Sequence, residues 1–324
     1  MSGLLEIEGL RIGFPAPGGE PVVVLDGIDL SIRQGEILGL VGESGSGKSM
    51  TALAAMGLLP PGARVLAGAI RLDGRDLLAQ SERQWREVRG GTLGMVFQDP
   101  MTGLNPVRSV GGLLSESIRR HQSVGKAEAL EIAEAALRSV GIPAARERLA
   151  AFPHQLSGGL RQRVMIALAL VNRPRVIIAD EPTTALDATI QAQILDLLRD
   201  RLHESGGLMI THDLGVAAEI CDRIAVIYHG RIVEEGPTRA VLADPRHPYT
   251  AGLLAAVPRF DSRGRRLVPI PGQPPAPTAT RLACSFRPRC AFATDSCAAI
   301  PALAPGGAGR RVACHHALGQ EATG

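Results

Sequence analysis

Apolar positions along this chain follow two rhythms. In LLEIEGLRI and then PVVVLDGIDLSIRQGE they recur at about every second residue, and Asp26-Gly27 and Gln34-Gly35 supply turn signals. That pattern predicts short antiparallel strands. From Glu36 the run ILGLVG is uninterrupted, as in a strand buried on both faces, and it leads through a glycine-rich loop into the helical KSMTALAAMGLL, which ends at Pro60-Pro61. GAIRLDGRDL predicts a hairpin. Between about Leu104 and Asn172 the period lengthens to that of a helix, most clearly in AEALEIAEAALRSVG, and predicts an inserted helical subdomain over about residues 100–172. VIIAD, GLMITHD and IAVIYHG are short apolar runs separated by helices such as TIQAQILDLLRDRLHE. Runs of this kind make a buried parallel sheet wrapped by helices, a Rossmann-like α/β core.

Past Val257 the composition shifts to Pro, Arg and Gly, and PIPGQPPAPT reads as a stiff extended linker. A domain boundary is therefore expected between a main domain over 1–257 and an extension over 258–324. That extension holds four of the five cysteines. Charged residues at 21% and apolar residues at 45% of 324 are those of a folded globular chain. The net charge of +3 is spread without a basic block or interleaved aromatics, which argues against nucleic acid as a partner. No run of eighteen apolar residues occurs, and Glu6 and Glu8 stand where a signal peptide needs a basic and then an apolar stretch. A cytoplasmic chain is expected, with its cysteines reduced or metal-bound.

The chemistry begins at Gly42-Glu-Ser44-Gly45-Ser-Gly47-Lys48-Ser49, a phosphate-loop pattern between a predicted strand and a predicted helix. Glycines let backbone N–H groups close around phosphates, the helix start adds its positive end, Lys48 neutralises the β and γ oxygens, and Ser49 is suited to Mg²⁺. Downstream, VIIAD followed by Glu181 ends an apolar strand in two carboxylates. Asp180 is suited to hold Mg²⁺ through water, and Glu181 to orient and deprotonate the attacking water. In Leu156-Ser157-Gly158-Gly159-Leu160-Arg161-Gln162, Ser157 caps a helix start and the two glycines leave bare N–H groups able to receive a phosphate.

At this stretch the sequence resembles the ABC ATPase family, whose signature loop has the same Leu-Ser-Gly-Gly form and serves ATP held by the opposite subunit. Three further matches follow the family's chain order. Gln98 in VFQDP resembles the Q-loop residue that senses Mg²⁺ and water, Asp187 in TTALD the D-loop, and His212 in ITHD the switch histidine on the γ-phosphate. Phe14 occupies the place of the aromatic that stacks on adenine, although the PAPGG insertion after it blurs the alignment and core packing explains it nearly as well. The resemblance implies an α/β fold: a P-loop ABC ATPase core with an antiparallel β subdomain, a helical subdomain and a small cysteine-bearing C-terminal extension.

QDPMTGLNP, GLRQRVMIALAL, ADEPTTALDATIQAQILDLL, THDLGVAAE and Arg246-His247-Pro248-Tyr249-Thr250 bring the resemblance closer, to the oligopeptide/dipeptide importer ATPases and to the first of their two paired ATPase subunits. Leu160, Gly103 and Ala217 depart from that branch's usual Met, Ser and Val without removing a catalytic group. The implied assembly is a second ATPase subunit, two membrane permeases and an extracytoplasmic substrate-binding protein, with this chain peripheral on the cytoplasmic face of the cell membrane. Nickel is an alternative cargo to peptide, and a soluble ABC ATPase of DNA repair or translation is an alternative class. Cys284, Cys290, Cys297 and Cys314 are separated by five, six and sixteen residues, a set able to enclose a metal. The resemblance implies a 4Fe–4S cluster, with zinc as rival and unmetallated thiols as third reading. Ala291 departs from the family's more usual Pro, and Cys221 on an apolar segment is expected in the core. Because every phosphate-binding residue precedes the linker, the tail is expected to bear on assembly or stability more than on intrinsic ATP binding.

Overall fold

In chain order the strands are β1 (Leu5–Ala16), β2 (Gly19–Ile32), β3 (Ile37–Val41), β4 (Arg64–Leu72), β5 (Arg75–Asp76), β6 (Leu93–Val96), β7 (Val176–Asp180), β8 (Gly207–Thr211), β9 (Arg223–Tyr228), β10 (Arg231–Pro237), β11 (Ala304–Gly307) and β12 (Arg310–Val312). They belong to a computed structural model that describes residues 3–16, 18–184, 186–257, 269–277 and 282–319. Contacts divide the chain into two units, one of Met1–Leu4, Ile32–Ile37 and Leu77–Met209, the other of Leu5–Ser31, Leu38–Asp76 and Ile210–Gly324. The boundary expected at 257/258 falls against residues 258–268, which lie outside the described residues.

In the second of these units the alternating rhythm becomes an antiparallel sheet in the order β2-β1-β4-β5. Leu5, Ile7, Leu10 and Ile12 of β1 point inward. Gly9, at φ +54, shifts the register between Glu8 and Arg11, so the alternation slips by one there. The predicted GAIRLDGRDL hairpin forms, and its turn residues Asp73 and Gly74 both take left-handed φ, 50° and 76°. Such a turn matches the right-handed twist of the strands that it joins. Gln34-Gly35 turns as expected, but Asp26-Gly27 does not: β2 runs on through both residues, with Gly27 at φ +75 inside the strand. Uninterrupted β3 is buried at every position and pairs in parallel with β9, Leu38 opposite Arg223 through Val41 opposite Val226. Antiparallel β10, β12 and β11 then extend this sheet. Two of these strands come from the C-terminal extension, and buried Glu235 of β10 accepts hydrogen bonds from Arg223 on β9 and Arg311 on β12.

The first unit holds the parallel pair β6 and β7, Leu93 opposite Val176 through Val96 opposite Ala179, and the predicted helical block. Helix Val110–His121 buries Val110, Leu114 and Ile118, and helix Lys126–Ser139 buries Ala129, Ala133 and Leu137. Both sets recur at three or four residues, which places each set on one face. The mixed α/β class expected from the sequence, with an antiparallel sheet and helical elements, is the one observed. Strand β8 carries the chain from this unit into the other.

Candidate active site

The phosphate loop leaves the end of β3 and enters helix Lys48–Ala55, whose N-cap is Gly47, at φ 112 and without a side-chain cap. First-turn N–H groups of such a helix have no internal acceptor, and the helix dipole leaves them positive. Space explains two glycines. A Cβ on Gly42 would stand 2.3 Å from the Ile227 carbonyl oxygen, and one on Gly47 would stand 2.6 Å from Leu25 Cδ2. Buried Lys48 donates from Nζ to the carbonyls of Gly42 (2.8 Å) and Glu43 (3.0 Å), so its charge stands inside the loop. Ser44 and Gly45 are exposed, and Ser49 is half-buried at the helix start. Phe14 is half-buried on β1, with Cδ1 3.8 Å from where a Gly62 Cβ would stand. His212 follows β8 immediately and is exposed, ahead of Asp213, whose carboxylate caps helix Leu214–Ile220.

All of these belong to one unit, and Gln98, Ser157, Gly158, Gly159, Asp180, Glu181 and Asp187 belong to the other. Asp180 is the buried last residue of β7. Glu181 stands at φ 45, a left-handed conformation costly for a residue with a Cβ. Backbone strain of this kind collects at functional sites, where the surroundings over-determine it. Glu181 Oε2 accepts from Gln98 Nε2 at 3.0 Å and from Thr184 Oγ1 at 3.1 Å, and Gln162 Nε2 fixes the next peptide by donating to the Pro182 carbonyl at 2.5 Å. Gln98 and Glu181, 83 residues apart, are therefore brought together by a direct side-chain hydrogen bond. Ser157 caps helix Gly158–Leu170 by accepting from Leu160 N–H, and Gly158, exposed, has nothing within 4 Å of a built Cβ. Asp187 caps helix Ala188–Glu204 through Ile190 N–H.

Two groups at the phosphate loop, Glu43 and Arg289, had no role in the sequence reading, and they meet there with Tyr249. Glu43 receives both nitrogens of the Arg289 fork on its carboxylate, and its N–H donates to Tyr249 Oη at 2.8 Å. Arg289 stays charged all the more firmly for this contact, with its guanidinium over the rings of Tyr228 and Phe286. Tyr249 belongs to the Arg-His-Pro-Tyr-Thr stretch singled out from the sequence; nothing local marked Glu43 or Arg289.

In the extension, Cys284, Cys290, Cys297 and Cys314 are free and line one small cavity together with His247 and Phe286. Sulfurs of Cys290 and Cys314 accept the N–H groups of Phe292 and His316. Burial pushes the thiols of Cys284 and Cys290 up, and that of Cys314 to about 11, so without a cation they are neutral. The donor chemistry suits a thiophilic metal. Among the described residues, however, no group of three or more His, Cys, Asp or Glu side chains is disposed to hold a metal ion, and the expected cluster site is to that extent not supported. Cys221 is in the core as expected, with burial pushing its thiol up to about 12.

Many enzymes carry a phosphate loop, but one that shares its chain with a Leu-Ser-Gly-Gly helix start such as that of residues 156–159 marks an ABC-type ATPase, which binds ATP with Mg²⁺ and hydrolyses it. Comparison agrees. Residues 25–184 match the ABC transporter family, and residues 233–297 match the oligopeptide/dipeptide transporter C-terminal region. The oligopeptide transport ATP-binding protein OppD of Salmonella typhimurium is 48% identical over 313 residues, spanning 96% of this chain and 93% of that protein. OppD of Escherichia coli is 47% identical, spanning 96% and 92%. Among solved structures, the dimeric ATP-binding cassette MJ0796 bound to ADP and Pi has 27% identity and a TM-score of 0.64, over 72% of this chain and 99% of that one. The chain belongs to the OppD-like family of ABC transporter ATP-binding subunits, which work with permease subunits. No helix among the described residues is long and apolar enough to cross a membrane.

Proposed function

We propose that this chain powers the uptake of di- or oligopeptides through a separate pair of permeases, as one of two different ATPase subunits served by an extracytoplasmic binding protein, from the cytoplasmic face of the membrane. Supporting this cargo over nickel are the relatives, which are oligopeptide transport ATP-binding proteins, and the 233–297 match to an oligopeptide/dipeptide transporter region. DNA repair or translation is not favoured, since those relatives span nearly the whole chain. On this reading residues 1–257 form the nucleotide-binding domain, with its helical subdomain over about 100–172, and residues 258–324 the extension.

In this assignment Gly42, Ser44, Gly45 and Gly47 wrap the phosphates, Lys48 neutralises them, and Phe14 stacks on the adenine. Ser49, Asp180 and Gln98 offer hard oxygens of the kind Mg²⁺ takes, and the ion when bound would neutralise the developing phosphate charge. Glu181 deprotonates the attacking water, and His212 meets the γ-phosphate. Ser157, Gly158, Gly159 and Asp187 serve the nucleotide of the second ATPase. One observation carries the catalytic part: the strained Glu181 at the end of β7, held through Oε2 by Gln98 and Thr184. Glu181→Gln keeps one oxygen for both donors and loses the base. ATP binding is then expected to persist while hydrolysis falls by about 10² to 10⁴. Unchanged steady-state hydrolysis would remove Glu181 from this role.

For the extension we keep the metal reading as a proposal. Cys284, Cys290, Cys297 and Cys314 share one cavity, and a 4Fe–4S cluster or zinc would supply the constraint that a tail poor in large apolar side chains lacks. Iron, sulfide and zinc analysis after anaerobic purification separates the outcomes. About four irons with four sulfides per chain supports the cluster, one zinc without sulfide the rival, and no metal leaves plain thiols.

A further inference from the structure

The extension follows every phosphate-binding residue in the chain, yet it returns to the phosphate loop through one side chain. Arg289 is 3% exposed and donates from Nη1 to Glu43 Oε2 at 2.7 Å and from Nη2 to Oε1 at 3.0 Å. Its Nε donates to the Pro271 carbonyl at 2.9 Å, which ties the linker to the same point, and Tyr228 Oη lies 3.4 Å from Nη1. Tyr228, Tyr249 and Phe286 pack as a mutual cluster under the guanidinium, with ring centroids 4.6 to 5.4 Å apart. A planar fork held on three sides has little freedom left, and it meets a carboxylate with both of its donors.

We infer that Arg289 is a positioning residue for nucleotide binding: by tethering and neutralising Glu43 it holds the phosphate loop ready for a triphosphate, so that the C-terminal extension sets this subunit's ATP affinity.

Charge and conformation both point to this role. The first is charge. Glu43 follows Gly42 directly in a loop whose glycines, helix start and lysine are all arranged for an anion, and a bare carboxylate there repels the ligand. Arg289 offsets that charge through its paired contact with the carboxylate. The second is conformation. Gly45 and Gly47 give the loop backbone freedom, and Glu43 is its fixed post. Its N–H is held by Tyr249, its carbonyl by Lys48 and its carboxylate by Arg289. Releasing the carboxylate frees one of three restraints next to the lysine that must meet the phosphates.

An alternative is that the pair only staples the extension to the rest of its unit, and the two readings differ in what they move. A staple changes the stability of the fold; a positioning residue changes affinity per folded molecule. The test uses the full chain as Arg289→Ala, Arg289→Lys and the double variant Arg289→Ala/Glu43→Gln. Mg²⁺-ATP dissociation constants are measured by displacement of a trinitrophenyl-ATP probe, urea midpoints are measured in parallel, and KM and kcat in the assembled transporter. Arg289→Ala is expected to weaken ATP binding about tenfold, with a larger change in KM than in kcat, because a bidentate, part-buried charge-assisted pair on the phosphate loop is lost. Adding Glu43→Gln is expected to recover most of that loss, since the repelling charge goes with it. Arg289→Lys, which keeps the charge but not the fork, should fall between and serves alone if the alanine variant does not fold. Affinity within twofold of wild type in Arg289→Ala or Arg289→Lys, whatever the urea midpoint, overturns the inference, as does a double variant no tighter than Arg289→Ala.

Discussion

Gly230→Ala separates strain from collision at the turn nearest the phosphate loop. His229 and Gly230 join β9 to β10 as a two-residue turn with both residues at left-handed φ, 47° and 73°. Gly230 also donates its N–H to the Ser46 carbonyl in the phosphate loop and accepts from Asp26 N–H on β2, each at 2.8 Å. A Cβ on Gly230 would stand 1.9 Å from the Val24 carbonyl oxygen and 3.2 Å from Leu25 Cα. Left-handed φ costs a residue with a Cβ about 1–2 kcal/mol, partly offset by about 0.4–1 kcal/mol from the stiffer unfolded chain. At Gly74, in the β4–β5 turn at φ +76, nothing lies within 4 Å of a built Cβ, so Gly74→Ala isolates that conformational part. About 0.5–1 kcal/mol is expected for it. At Gly230 the backbone oxygen cannot step aside alone, and displacement of a packed strand adds about 1–3 kcal/mol, for a total of about 1.5–4 kcal/mol. Urea unfolding of the two variants beside wild type reads the difference directly, and nucleotide affinity should fall only in Gly230→Ala because Ser46 loses its partner. Equal destabilisation in both variants would refute the collision argument.

Lys48→Ala is expected to weaken nucleotide binding by the subunit itself, since the buried amine stands inside the loop, whereas Ser157→Arg should spare that binding and stop hydrolysis in the assembled transporter. Untouched hydrolysis in Ser157→Arg would count against a cross-subunit role for the glycine-rich helix start. His247 is 1% exposed, and burial pushes its imidazole from 6.5 down to about 4. Its Nδ1 accepts from Tyr249 N–H, and buried Glu234 accepts His247's own N–H. The unfolded chain therefore binds the proton first, so the histidine's contribution is complete above pH 6.5 and is lost as pH falls towards 4, by at most about 1.4 kcal/mol per pH unit. His247→Asn keeps an acceptor for Tyr249 and should flatten stability over that window; an unchanged pH slope would refute the assignment.

Local chemistry was legible without a structure wherever a few neighbouring residues decide the outcome. Gly42 through Ser49 read as a tight loop into a helix, Ser157 caps the helix that follows it, and the apolar periods of β3, of Val110–His121 and of Lys126–Ser139 state which faces are buried. Asp26-Gly27 failed because the same dipeptide serves a turn or, with its glycine left-handed, the interior of a strand, and only pairing partners choose between them. Distance along the chain hid the rest. Gln98 meets Glu181 across 83 residues and Arg289 meets Glu43 across 246, and neither partner carries a local mark of the other. Four cysteines in one short tail raised the expectation of a metal site; the four line one cavity, but among the described residues no group disposed to hold a metal ion is found, and their spacing along the chain could not decide that. Side-chain type and local periodicity are properties of the sequence itself, whereas the meeting of two charges from opposite ends of the chain exists only after the backbone between them has been folded, its entropy offset by burial elsewhere.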